Sequence, residues 1–168
     1  MDKPYDFKAL MIKIIALIKQ ETGIDCFIEG GMGPQQPYPF FTYQVKPYIP
    51  IDITDNVDYE EFEAEINFTA HSKSANESYT FGNQLRKIFE TQSMDYLGDE
   101  NDFGVVGTSE VESSDNVITI QVERRTEFTV RLRLLDTFQD KINTIDDVGI
   151  NGTNLSEKDD YKKRIGGI

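Results

Sequence analysis

The sequence predicts an α+β fold: a mixed or mostly antiparallel β-sheet flanked by two main helices, with an extended C-terminal tail. Three observations predict it. In residues 117–136 the apolar residues Ile118, Ile120, Val122, Phe128, Val130, Leu132 and Leu134 all fall on even positions. That alternation buries one face of a strand and leaves the other polar. Residues 5–22 and 74–92 instead repeat their apolar residues every three or four positions, as a helix with one buried face does. After Leu135 both patterns fade, which places a domain at 1–137 and an arm or tail at 138–168.

Taken in order, the first helix carries Phe7, Leu10, Met11, Ile14, Leu17 and Ile18 on one side and Lys8, Lys13, Lys19 and Gln20 on the other. Asp6 stands at the N-cap position and Gly23 at the position just past the C-terminus. A short strand follows at 24–28. The glycine- and proline-rich stretch 30–39 must be a loop, since both residues break regular structure. It lacks the spacing of a phosphate-binding loop or a dinucleotide fingerprint. Phe40 to Tyr48 reads as the next strand, with Phe41, Tyr43 and Val45 facing the core. Pro47 and Pro50 mark an edge or an early end, because proline cannot donate to a ladder.

Residues 52–65 hold Asp52, Asp55, Asp58, Glu60, Glu61, Glu63 and Glu65 and no basic residue. The strand 62–70 begins within this run, its polar face bearing Glu61, Glu63 and Glu65. In the second helix, Ser74 and Glu77 have the spacing of a capping box. Gly82 costs that helix about 0.5–1 kcal/mol relative to alanine and marks a close approach. An acidic loop at 98–102, a strand at 103–111 and a turn at Ser113–Asn116 lead into residues 117–136. Strands average ~5–6 residues, so this long stretch is expected to bulge or reverse at Glu123–Thr126, where Arg124 and Thr126 interrupt the apolar parity.

Composition narrows the function. A chain of 168 residues that is 38% hydrophobic, with 11 Phe and 8 Tyr, can bury one real core. The single cysteine, Cys26, excludes an internal disulfide and a multi-cysteine zinc site. No apolar run reaches the ~18–20 residues of a membrane span, and the N-terminus lacks a basic signal-peptide region. A cytoplasmically made protein with no membrane partner is expected. The net charge of −13 argues against binding a nucleic-acid backbone, which requires clustered positive charge. It suits a surface past which DNA slides without sticking.

Catalytic chemistry has little to stand on. The only histidine, His71, closes the 62–70 strand and is expected in a turn. Without a second histidine or a nearby thiol it makes no nucleophilic triad. Glu61, Glu63 and Glu65 have a spacing that two-metal nucleases use, but a carboxylate run is more often a solvated face. No cofactor is expected. The more informative pattern is charge complementarity. Residues 117–136 carry Arg124, Arg125, Arg131 and Arg133, four of the chain's 17 Lys and Arg. Arg131 and Arg133 can meet Glu63 and Glu65 across one antiparallel sheet, or each row can meet a neighbouring subunit. All seven of these residues are interface candidates. In the tail, Lys162, Lys163 and Arg164 form a basic cluster suited to docking on an acidic neighbour.

Three stretches carry a resemblance. They are Pro39-Phe40-Phe41-Thr42-Tyr43 followed by Pro47-Tyr48, then Ile66-Asn67-Phe68-Thr69-Ala70-His71-Ser72 with its preceding Glu run, and Glu123-Arg124-Arg125 leading to Phe128, Val130, Arg131, Leu132 and Arg133. In this order, within a helix–strands–helix–strands chain, they resemble the neck or tail-terminator proteins of tailed bacteriophages, over roughly residues 6–136. The family pattern often has a glycine just before the Phe128 position, where this chain has Thr126-Glu127. The resemblance implies a structural virion protein, assembled in the host cytoplasm into a ring, a hexamer by family analogy. That ring would cap the head-proximal end of the tail tube. It implies the tail tube protein, a head-completion or stopper protein and the tail sheath as partners, with DNA passing through the lumen. A generic acidic adaptor module and a metal-dependent nuclease are the competing classes.

Overall fold

A computed structural model describes residues 5–31, 34, 36–46, 49–51, 58–118, 121–139, 148–150 and 153–155. The elements are α1 (Phe7–Thr22), β1 (Cys26–Ile28), β2 (Phe40–Val45), β3 (Ile49–Pro50), β4 (Glu61–Ser72), α2 (Ala75–Ile88) and α3 (Gln92–Asp99). They continue with β5 (Phe103–Thr108), β6 (Glu112–Ser113), β7 (Asn116–Ile118), β8 (Gln121–Leu135), β9 (Val148–Ile150) and β10 (Thr153–Leu155). This is an α+β fold, as the alternating strands and periodic helices require.

Eight strand segments form one sheet in the order β1-β2-β4-β8-β5, with β3 beside β4 and β6 and β7 beside β8. All pairs are antiparallel except β1 with β2. β4 and β8 are the spine. Twelve consecutive pairs run from Glu61↔Leu135 to Ser72↔Arg124. Partners in an antiparallel ladder share a face, so Phe62, Ala64, Ile66, Phe68 and Ala70 lie with Phe128, Val130, Leu132 and Leu134. All nine are buried, against Leu10, Met11, Ile14 and Ile18 of α1 and Leu85 and Ile88 of α2. Phe68 stacks on Phe128 at 5.8 Å and meets Phe89 at 5.1 Å. Each such side chain fully buried contributes about 1.5–3 kcal/mol, so this one face accounts for most of the driving force.

The caps explain where the helices start and stop. The Asp6 carboxylate accepts from the Ala9 backbone N–H at 3.0 Å, and Gly23, with φ of 72°, closes α1. At α2 the capping box is shifted. Ser74 makes no side-chain cap bond, whereas the Ser72 hydroxyl accepts from the Ser74 N–H at 3.2 Å and donates to Glu77. Gly82 is indeed a point of close approach, since a Cβ there would lie 2.8 Å from the Thr126 methyl.

Four expectations are corrected. A third helix, α3, occupies 92–99, where the sequence reading had only the tail of the second helix and an acidic loop. Thr91 caps it and Met94 and Gly98 anchor it, too short a run to show periodicity. No bulge interrupts Glu123–Thr126, and the one ladder irregularity near this sheet edge lies on β5, between Val105 and Gly107. Thr126 stays in the ladder because it is buried and its hydroxyl bonds to Ser78 at 2.8 Å, so the break in apolar parity is a satisfied polar pair. The segment at Ser113–Asn116 is not a turn between strands but runs along β8, with Ser113 paired to Thr126 in β6 and Asn116 to Glu123 in β7. Finally, the tail contains a small antiparallel sheet of β9 and β10. Asp52, Asp55, Lys162, Lys163 and Arg164 lie outside the described residues.

Candidate interface on the polar sheet face

Among the described residues all three helices lie on the core face, so the opposite face of β2, β4, β8 and β5 is assembled from the odd-numbered residues of β4 and β8. At its lower end sits the charge ladder. Glu63 is cross-strand partner of Arg133, and Glu65 of Arg131. Arg133 Nη2 donates to Glu63 Oε1 at 2.9 Å and Arg131 Nη2 to Glu65 Oε1 at 3.1 Å. Arg131 Nε lies 3.7 Å from Glu63 Oε2, and Lys46 Nζ 3.8 Å from Glu65 Oε2, so the charges form a network. The ion pairs therefore close within one sheet.

The pairs are asymmetric in exposure. The Glu63 and Glu65 side chains are 13% and 25% exposed, while Arg131 and Arg133 are 49% and 52% exposed. Within these pairs the guanidiniums are the more exposed partners. Glu61 is exposed at the start of β4, beside a groove of about 360 Å³ that reaches Gly104 and Arg133.

Arg124 and Arg125 separate. Arg125 lies on the polar face and its Nε donates to Glu123 Oε2 at 2.7 Å. Arg124, one residue earlier, is on the other face with Ser72 and is bonded to Asp115. Consecutive strand residues point oppositely, so the four arginines cannot form one row.

The upper end of the same face holds residues the sequence reading missed. His71 is not in a turn: it pairs with Arg125 inside β4, is 5% exposed and stacks on Phe40 at 4.4 Å. Its Nδ1 is 3.0 Å from Glu123 Oε1 and its Nε2 2.8 Å from Thr42 Oγ1. The Tyr38 hydroxyl also donates to Glu123 Oε1, at 3.0 Å. Burial pushes the His71 pKa below the ordinary imidazole value, outweighing the opposing pull of Glu123. Burial alone would raise the Glu123 pKa, but hydrogen bonds from Arg125 and Tyr38 and the contact with His71 hold it below the ordinary value. The imidazole is then neutral, donating from Nδ1 to an ionised carboxylate and accepting the Thr42 hydroxyl proton at Nε2. Hydroxyl, imidazole and carboxylate stand in line, yet the stacked Phe40 ring and the burial of His71 make this a closed structural unit. No signal in the sequence linked residues 42, 71 and 123, because only strand register brings them together.

The α+β fold, a mainly antiparallel sheet with helices packed on it, is the one that the resemblance of residues 39–48, 66–72 and 123–133 implies. The family model described as phage neck terminator protein matches residues 11–158. This chain is a member of the phage neck terminator family. The match passes the end of β8 and includes β9 and β10, so the neck terminator pattern extends further than the resemblance over roughly 6–136. No curated protein matches the chain. Membership places this terminator among the structural proteins of the virion neck and tail. No helix among its described residues is long and apolar enough to cross a membrane.

Proposed function

We propose that the protein forms a ring, a homo-hexamer, at the head-proximal end of the tail tube, where it ends tube polymerisation and joins the tail to the head-completion or stopper protein. The observation that carries this reading, beside family membership, is the sheet with helices on one face only. On the other face Arg131 and Arg133 are held by Glu65 and Glu63 and Arg125 by Glu123, with Glu61 exposed beside them. Pre-ordered charges lose little entropy on meeting a neighbour and set register and specificity more than affinity. Arg124, on the opposite face, would serve a second contact. The role is structural, without cofactor or catalysis. The tail tube, and the sheath where one is present, are the other partners. The net charge of −13 keeps DNA moving through the lumen without counterion-release binding. The arm from 138 onward attaches to head or tail through Lys162, Lys163 and Arg164.

The test is a phage lacking this protein, complemented in trans. Without it, particles should carry heads and tails that fail to join, with tubes of irregular length. The wild-type chain should restore joining and be seen by electron microscopy as a ring at the neck. Normal joined particles in its absence would refute the role. In the complemented system Arg131→Glu should fold yet join heads and tails at least tenfold less efficiently.

A further inference from the structure

The β4–β8 ladder ends at Ser72↔Arg124, and β8 runs on to Gln121 without β4. Over those last three residues its only partner among the described strands is β7, with Asn116 opposite Glu123, Val117 opposite Val122 and Ile118 opposite Gln121. A two-stranded ribbon of three pairs is marginal in water on its own. Its hold on the body of the subunit passes through Glu123, the residue at its root.

The Glu123 carboxylate is buried and takes three hydrogen bonds. Its Oε1 accepts from the Tyr38 hydroxyl, at the end of the loop before β2, and from His71 Nδ1 on β4, both at 3.0 Å. Its Oε2 accepts from Arg125 Nε at 2.7 Å. Tyr38 is steadied in turn by its ring contact with Phe40 at 5.4 Å and by Lys73 Nζ, 5.9 Å above the ring. One carboxylate therefore ties the root of the ribbon to the loop before β2 and to the end of β4.

His71 is the member of this cluster whose charge changes nearest neutral pH. As a neutral ring it donates from Nδ1 to Glu123 and accepts the Thr42 hydroxyl proton at Nε2, 2.8 Å away. A second proton makes Nε2 a donor aimed at that hydroxyl, which must then turn its own proton to another acceptor. It also sets two cations, the imidazolium and Arg125, around one carboxylate, in a site closed by the Phe40 ring stacked at 4.4 Å. Glu123 and Glu29 favour the charged ring, while burial and Arg125 oppose it, and burial is the largest of these influences. Phe40 and Thr42 on β2 bring no charge, Tyr38 is a neutral phenol, and Lys73 adds a positive charge beside it. The charged ring is better accommodated with the cluster open to water, so a fall in pH below the ordinary imidazole range favours opening.

We propose that His71, Glu123 and Tyr38 form a proton-controlled latch, which holds the β7–β8 ribbon on the body while the imidazole is neutral and frees it when the imidazole is charged. The rest of the fold stays closed, because the apolar core lies on the other face of the sheet. The latch works within one subunit and is independent of the ring reading. The test is amide hydrogen exchange on the full-length protein, expressed as protection relative to the unfolded chain at the same pH. The amides of 116–118 and 121–123 are compared with those of Ile66, Phe68, Val130 and Leu132 in the buried ladder. At every pH the ribbon should be the less protected, and its protection should fall about threefold or more between pH 7 and pH 5. Equal protection in ribbon and core would mean that the cluster opens only with the whole fold, and would overturn the proposal. The fall should set in below about 6.5, where the imidazole gains its proton; a fall confined to the carboxylate range would overturn it as well. His71→Gln keeps a neutral polar side chain and should abolish the dependence on pH, so a ribbon that still responds in that variant is not controlled by the imidazole. Tyr38→Phe deletes one hydrogen bond and keeps the ring. It should lower ribbon protection at neutral pH and leave the response to pH in place, whereas unchanged protection would refute the latch as drawn.

Discussion

Two residues outside the ion-pair ladder decide how the polar face holds together. His71 is the chain's only histidine, so its imidazole can be followed alone in a proton NMR titration. Its pKa is lowered in the fold, which means that the unfolded chain binds the proton more readily. Stability from this group is therefore fully present above the ordinary value of about 6.5 and is lost as pH falls below it. Glu123, also lowered, adds a further loss as pH falls below the ordinary carboxylate range. Both act in the same direction. The melting temperature should decline steadily from pH 7 to pH 4, and the His71 resonances should titrate below 6.5. A midpoint at or above 6.5 would mean that Glu123 dominates over burial. Gly82 sets the other residue-scale constraint. Gly82→Ala gains about 1 kcal/mol of helix propensity but presses on the Thr126 methyl, which the Ser78 hydrogen bond holds in place. Overpacking of this kind costs typically 1–3 kcal/mol, so the variant should be about 1 kcal/mol less stable to urea. Thr126→Ser in the same background deletes the methyl, keeps the hydroxyl and should recover most of the loss.

At the scale of elements, β8 joins nearly everything. It pairs with β4, β5, β6 and β7, and its core face meets α2. The charge ladder contributes register to this spine more than energy. Exposed ion pairs are worth about 0–1 kcal/mol each. Arg131→Glu also sets three carboxylates side by side with Glu63 and Glu65, since it loses both of their contacts. A loss of about 1 kcal/mol, or roughly 2–4 °C in melting temperature for a chain of this size, is expected. Glu65→Arg in that background should restore most of it. Restoration in the isolated subunit would confirm that the pair acts within one sheet, and a loss confined to assembly would place it between subunits.

For the whole molecule, the question is where the folded unit ends. The core residues all lie between Leu10 and Leu134 among those described, and β9 and β10 form a sheet of their own. Truncation after Gln139 keeps the contacts of Asp136 with Glu60 and of Phe138 with Tyr59. It should unfold cooperatively within about 3 °C of the full chain while failing to join heads to tails. A shortened chain without a cooperative transition would show that the arm belongs to the core.

The sequence alone determined the buried faces of α1, β2, β4 and β8, because apolar periodicity is a local property and a single pleat or helix repeat reports it. The caps at Asp6 and Gly23 and the close approach at Gly82 were legible for the same reason. The opposite charges of two alternating strands made Glu63 and Glu65 legible as partners of Arg131 and Arg133, but whether they meet within one sheet or across subunits was open in the sequence, and the strand register decided for one sheet. Helix α3 escaped because eight residues span barely two turns, and the β9–β10 hairpin escaped although Asn151-Gly152 between Ile150 and Thr153 is a readable turn signal. Only the tertiary structure decided what the polar residues do. Glu123 and His71 are 52 positions apart and look solvated in the chain, and they become one buried unit with Thr42 and Tyr38 through the register of β2, β4 and β8. Register is set by the sum of all twelve β4–β8 pairs, so no short stretch of sequence contains it.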